Sequence, residues 1–289
     1  MTPRRWWIVG PGRLGAAWAR LLLEEDPDAQ LDLSGRRPQP PPTLPPSHRW
    51  RYRTSRSWPA PPPEAVLLTV PDRAIVEVAA ALAEGLPAAV AVLHCAGALG
   101  VEALAPLAAR GASVGVLHPL AAVVGDPDAL RGAYFTLEAT GSAAAAANHL
   151  VRLAGGRLLP LVTHRRGLYH AAATLAAAGA ATVVARAAAA LVQTGAPATD
   201  ARRALVHLAR TALDALTERS PAAALTGPAV RGDTRTVAAH LAQLSPSERR
   251  LYCLLTREAL ALLAEAGLAT SAHAEVGALL ETACECDST

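Results

Sequence analysis

Trp6-Trp7-Ile8-Val9-Gly10-Pro11-Gly12-Arg13-Leu14-Gly15 is an apolar run that ends in three glycines spaced G-x-G-x-x-G. The pattern predicts a short strand, a tight turn and a helix continuing through Ala16-Ala17-Trp18-Ala19-Arg20-Leu21-Leu22. Gly10 permits the turn, Gly12 lets the main chain approach a pyrophosphate, and Gly15 lets the helix pack closely on the strand. Phosphates would then sit at a helix N-terminus, where free N–H groups and the positive dipole end attract anions. With 21 glycines in the chain the spacing alone is weak evidence. The strand before it and the helix after it make it a dinucleotide turn.

The end of the second strand decides which dinucleotide is expected. A carboxylate there grips the ribose of NAD and repels the extra phosphate of NADP. In Leu31-Asp32-Leu33-Ser34-Gly35-Arg36-Arg37 the acidic position is taken by Gly35, and two guanidiniums suited to phosphate follow. Asp32 reads as a strand-face residue away from the tip. NADP is the expected cofactor, held by Gly10, Pro11, Gly12, Arg13, Leu14, Gly15, Ser34, Arg36 and Arg37. Val70, Pro71, Cys95 and Gly97 join them from the ends of later strands.

The chain contains no lysine; all 27 of its basic residues are arginine. That removes Schiff-base and lysine acid–base chemistry, because a guanidinium does not shift its pKa into the working range. A net charge of +3 over 289 residues is too slight for a nucleic-acid partner. No uninterrupted apolar run is expected to span a membrane, and no signal peptide precedes Trp6, so a cytoplasmic protein is expected. Cys95, Cys253, Cys284 and Cys286 form neither a disulfide framework nor a zinc pattern, and no metal is expected.

The Pro-rich stretch Pro38 to Pro63 reads as a loop, with at most an edge strand in Trp50-Arg51-Tyr52-Arg53. Strands are then expected at Ala65–Val70, Ala88–His94, Ser113–Leu117, Tyr134–Glu138 and Arg157–Val162. Helices are expected at Ala74–Glu84, Leu99–Arg110 and Ala143–Ala154. Ligands of such sheets bind at the carboxyl ends of the strands, so the loops Gly10–Gly15, Thr69–Asp72, His94–Gly97 and His118–Leu120 should converge. From Thr163 onward only helices are expected: Arg166–Thr194, Thr199–Arg219, Thr234–Leu244 and Ser247–Ala266. The fold class is α/β, a doubly wound sheet in residues 1–162 followed by an all-α domain in 163–289.

Taken together, G-P-G-R-L-G at Gly10, L-L-T-V-P-D at Leu67, H-C-A-G-A-L-G at His94, V-G-V-L-H-P-L at Val114, G-L-Y-H-A-A-A at Gly167 and L-T-G-P-A-V-R-G-D at Leu225 resemble one family. It is the Rossmann-like NADP-binding family with the C-terminal domain of unknown function 2520, related to pyrroline-5-carboxylate reductase and ketopantoate reductase. The resemblance implies an N-terminal NADP domain, a C-terminal helical domain of the 6-phosphogluconate-dehydrogenase-like class, and homodimerisation through that domain. One departure stands out. The family pattern carries a polar asparagine about two turns after Tyr169-His170, where this chain has Ala176-Ala177-Ala178-Gly179.

His118 follows a buried-type strand and precedes a proline, which aims its imidazole at the crevice as a proton donor to a carbonyl or imine. Tyr169 and His170, at the start of the long helix, complete the expected catalytic set. His94 reads as a strand-end residue bound to backbone. Arg231 admits two readings, a binder of a substrate carboxylate or the partner of Asp233 in fixing its loop. The expected activity is NADP(H)-dependent reduction of a small keto or imino acid, the proton coming from His118 or Tyr169. The alternatives are a non-catalytic NADP-binding sensor or assembly protein, and an oxidation like that of prephenate dehydrogenases, which have a similar H-P-[LM] turn.

Overall fold

The structure, a computed structural model, describes residues 3–123, 127–161 and 165–285. Its chain divides into two compact units, residues 1–178 and 179–289.

The first unit is built on an eight-stranded sheet of order β3-β2-β1-β4-β5-β6-β7-β8. The strands are β1 (Arg5–Val9), β2 (Gln30–Ser34), β3 (Trp50–Arg53), β4 (Ala65–Leu68), β5 (Ala91–His94), β6 (Ser113–Pro119), β7 (Tyr134–Ala139) and β8 (Arg157–Leu158). Strands β1 to β6 run parallel; β7 returns antiparallel to β6, and β8 runs parallel to β7. The order reverses between β1 and β4, which opens a crevice at their carboxyl ends. The edge strand in the Pro-rich stretch is β3, paired to β2 on one side only.

Alternation along β1 sends Trp6 and Ile8 to one face of the sheet and Trp7 and Val9 to the other. The first face is covered by α1 (Arg13–Glu25) and α4 (Gly141–Leu153), with Trp18 of α1 against Phe135 of β7. The second is covered by α2 (Ile75–Ala83) and α3 (Ala105–Ala108). The helix expected over Leu99–Arg110 is shorter, a 3-10 turn at Val101–Leu104 running into the single turn of α3. Pro106, which has no N–H to donate, sits at the start of that turn.

The long apolar helix is broken by a π segment. It comprises α5 (Arg166–Thr174), π turns at Leu175–Gly179, and α6 (Ala180–Val192). The wide turns fall on Ala176-Ala177-Ala178-Gly179, the stretch that departs from the family pattern. The division between units also falls here, within the helix that the sequence reading assigned wholly to the second domain, because Arg166 and Tyr169 of α5 are buried with the sheet. By length and composition Arg166–Val192 could cross a membrane, with a mean hydropathy of 1.8 in its most apolar window and 6% of that window buried. This corrects the expectation that no stretch reaches such a length.

The second unit contains α6, α7 (Ala198–Glu218), α8 (Pro221–Ala224), α9 (Thr234–Gln243), α10 (Pro246–Glu265) and α11 (Ser271–Glu285). The last was not anticipated; its Val276 and Leu280 complete a small core with Val237, Leu241 and Cys253. Cys253 is disulfide-bonded, a single bridge where the spacing of the cysteines suggested no disulfide framework. The side chains of Cys284 and Cys286 lie outside the described residues. Asp233 accepts from Thr236 N–H and caps α9, so the loop before it is fixed by that cap.

Candidate functional site

The glycine turn has the geometry that its spacing predicts. Gly10 has a φ of +85°, and a Cβ there would lie 2.6 Å from Val70 Cγ1, so only glycine lets the ends of β1 and β4 come this close. Thr69 Oγ1 donates to Gly10 O at 2.8 Å and closes the turn, and a Cβ on Gly15 would strike that hydroxyl at 2.4 Å. Gly12 is exposed, with nothing nearer a Cβ than Gly10 O at 3.9 Å. It begins α1 with no side-chain cap and no acidic residue in the first turn. The leading amides of α1 are therefore open to an anion, the fit that a dinucleotide pyrophosphate requires.

The loop after β2 is shaped by Tyr52, whose hydroxyl donates to Arg37 O at 2.6 Å. A Cβ on Gly35 would lie 2.6 Å from that hydroxyl, so no acidic side chain fits beneath it. Arg36 and Arg37 are exposed. Asp32 lies back on the strand face, 3.9 Å from Arg51 and from Arg53.

Two expected cofactor contacts need correction. The Ser34 hydroxyl is buried and accepts from Trp7 Nε1 at 2.8 Å, because strand alternation turns it into the sheet. The Cys95 thiol belongs to the core, and its burial pushes its pKa up to about 12. Neither side chain is available to a ligand. Val70, Pro71 and Gly97 stand at the ends of β4 and β5, as expected.

His118 lies opposite Thr136 in the β6–β7 register. Its Nδ1 is 2.5 Å from the hydroxyl of buried Tyr169, which lies 3.4 Å from Thr136 Oγ1. Burial raises the Tyr169 pKa, so the phenol is protonated at neutral pH. Burial first, then the neighbouring His170, Arg166 and His94, push His118 down to about 4. A neutral imidazole that accepts the Tyr169 proton at Nδ1 carries its own proton on Nε2. That nitrogen faces Gly97, where a Cβ would lie 2.8 Å from it and 2.7 Å from His170 Nδ1. The structure thus brings together His118, Tyr169 and His170, the three residues singled out in the sequence.

His94 is fully buried, with Nε2 3.0 Å from Gly100 O and Nδ1 accepting from Ala96 N–H at 3.2 Å. It staples the loop to its strand, as read from the sequence. Three residues escaped that reading: Thr136, Glu138 and Arg166. Arg166 is buried and ion-paired through Nη2 to Glu138 Oε2. The signal was present in the spacing, since Arg166, Tyr169 and His170 stand at i, i+3 and i+4 on one helix face. Arg231 is exposed, and Asp233 is engaged as the α9 cap.

Residues 57–119 match a Rossmann-like domain model, and residues 133–260 match the domain of unknown function DUF2520. The chain pairs a Rossmann-like domain with a DUF2520 domain. No curated protein matches it significantly. Among solved structures it is similar to one from Bacteroides fragilis described as a candidate NADP oxidoreductase (TM-score 0.69, 21% identity, 89% of this chain and 97% of that one). It is also similar to the NADP-bound pyrroline carboxylate reductase of Plasmodium falciparum (0.59, 13%, 98% of both chains) and to a Thermotoga maritima protein (0.56, 20%, 98% of this chain and 100% of that one). At these identities the likeness is one of fold. The DUF2520 match begins at Ala133 and so takes in Thr136, Glu138, Arg166, Tyr169 and His170, while the Rossmann-like match takes in Gly97 and His118.

The depressed His118 has a pH signature. The unfolded chain binds a proton near pH 6.5, whereas the folded one does so only near 4. Stability is therefore complete above pH 6.5 and is lost as pH falls toward 4, with a slope of at most about 1.4 kcal/mol per pH unit for one group. Urea titrations of His118→Gln should show a shallower loss across that window. Some loss should persist, because burial also lowers the pKa of His94. An unchanged slope would mean that His118 titrates normally.

Proposed function

We propose that the protein is an NADP(H)-dependent oxidoreductase that reduces a small keto or imino acid. The observation that carries this reading is the hydrogen-bonded series Thr136, Tyr169, His118, which ends in an Nε2–H at the carboxyl edge of a sheet whose glycine turn leaves a helix N-terminus open. The nicotinamide, when bound, supplies hydride to the carbonyl or imine carbon. His118 Nε2 hydrogen-bonds the substrate oxygen or nitrogen and transfers its proton there as negative charge develops. Tyr169 gives its proton to Nδ1 in the same step, so the imidazole need not be charged beforehand; the phenolate left behind, which accepts from Thr136 and lies in the field of Arg166, regains a proton from solvent. His170 and Gly97 form the wall beside Nε2.

The non-catalytic alternative keeps one observation in its favour, the exposed Ala176-Ala177-Ala178 run with no polar side chain. NADPH consumption across a panel of keto acids and cyclic imines separates the two readings. With a substrate in hand, His118→Ala should bind the cofactor at parental affinity and lose turnover; turnover at the parental rate would return His118 to a structural role.

NADP(H) is favoured over NAD(H) by Arg36 and Arg37 and by the lack of room for a carboxylate at Gly35. Charge-assisted contacts to a phosphate contribute about 1.5–3 kcal/mol each. Calorimetry should therefore give tighter NADP than NAD binding, with the difference reduced in Arg36→Glu. Equal affinities would remove the basis for the assignment.

The partner we infer is a second copy of the chain. In α6 and α7, only Ala188 and Ala201 are buried, while Val192, Val206, Leu208, Leu213 and Leu216 are exposed. An uncovered apolar surface of this extent is foreign to soluble monomers, and small side chains suit close helix approach. The expected site of action is the cytoplasm. Light scattering at low micromolar concentration should give twice the mass of one chain. A monomer, or a protein recovered only with membranes, would overturn the dimer.

A further inference from the structure

We propose that Arg166 is the anion-binding group of this site and that its ligand is the carboxylate of the substrate. The inference rests on the reductase reading and adds to it the substrate class, a 2-keto or 2-imino acid bound through its acid group.

A guanidinium presents five N–H donors and cannot shed its charge, so burying it requires partners for each. The Arg166 side chain is 8% exposed. Glu138 engages Nη2, but Nε and Nη1 are inaccessible to solvent and have no hydrogen-bond partner among the described residues. An unpaired buried cationic donor is costly, and the arrangement is understandable if a ligand completes it.

The position of those donors identifies the site they serve. Helical spacing places Arg166 on the face of α5 that carries Tyr169 and His170. Strand spacing places Glu138 on the face of β7 that carries Thr136, across from His118. His170 Nδ1, beside Gly97 and His118 Nε2, is likewise buried without a partner. Two unpartnered sets of nitrogens, one cationic, thus belong to the cluster that holds the proton donor. Arg166 fixes the acid group, and His118 meets the adjacent carbonyl or imine.

The arrangement also couples binding to chemistry. Without ligand, the positive charge of Arg166 is among the causes that disfavour a proton on His118, together with burial, His170 and His94. A bound carboxylate offsets that charge, so the His118 pKa should rise when an acid substrate binds and not when a neutral ketone does.

The test reads binding without turnover. Full-length protein is titrated with pyruvate and, separately, with butane-2,3-dione, which keeps the ketone and lacks the charge, while the imidazole resonances of His118 and His170 are followed by NMR. Pyruvate should shift them saturably, and the dione should not. Arg166→Gln should weaken pyruvate binding by about thirtyfold or more. Because that variant strands Glu138, Arg166→Gln/Glu138→Gln, which removes both charges, should fold and show the same loss. Equal binding of ketone and keto acid, no saturable response to pyruvate, or unchanged pyruvate affinity in the double variant overturns the subsite. Reduction of acids with an unaltered kcat/KM in the double variant would overturn the subsite and leave the reductase. Arg166-dependent pyruvate binding with no NADPH consumption by any acid would uphold the subsite and remove the reductase.

Discussion

The approach of Gly10 to Val70 is the contact on which the carboxyl edge of the sheet depends. The sheet reverses its order between β1 and β4, and the two loops leaving these strands could block each other. A left-handed residue without a Cβ, closed by the Thr69 hydroxyl, lets them pass in contact. The helix that follows then starts at the crevice with its amides uncapped. Trp6 and Trp7, buried on opposite faces, fix the strand that carries this turn. Its position is therefore set by the core rather than by the loop.

The cluster of Thr136, His118 and Tyr169 is organised by the same economy of side chains. The antiparallel return of β7 places Thr136 opposite His118, and α5 lays Tyr169 across both. Because the phenol is protonated and the imidazole is neutral, one hydrogen bond fixes the tautomer and the orientation of the ring. Burial does the rest. It holds both groups in their uncharged forms, a phenol and a neutral imidazole, in a poorly solvated place.

Much of this was legible in the sequence because it rests on local patterns. The G-x-G-x-x-G turn, the apolar run of β4, and the histidine before a proline are short-range signals, and each lies where its chemistry places it. What could not be read depends on distant residues. The inward rotation of Ser34 needs Trp7 across the sheet, and the depressed His118 needs the buried environment that α5 creates. Arg166 resembled the neighbouring Arg165 in the sequence; only packing separates a buried cation from an exposed one. The π turns arise in a run of alanines whose periodicity is featureless, and α11 lacked the strong apolar stripe that would have marked it.

Gly97 imposes a restriction on how such a site can change through descent. A single methyl group there would collide with both imidazoles, one contributed by β6 and the other by α5. The residue is thus tied to two distant positions at once, and any side chain there would force one imidazole or the other to move. Among relatives whose substrates are unknown, the loss of that glycine would be a sign that the chemistry had changed before any side chain at the reacting atoms was compared.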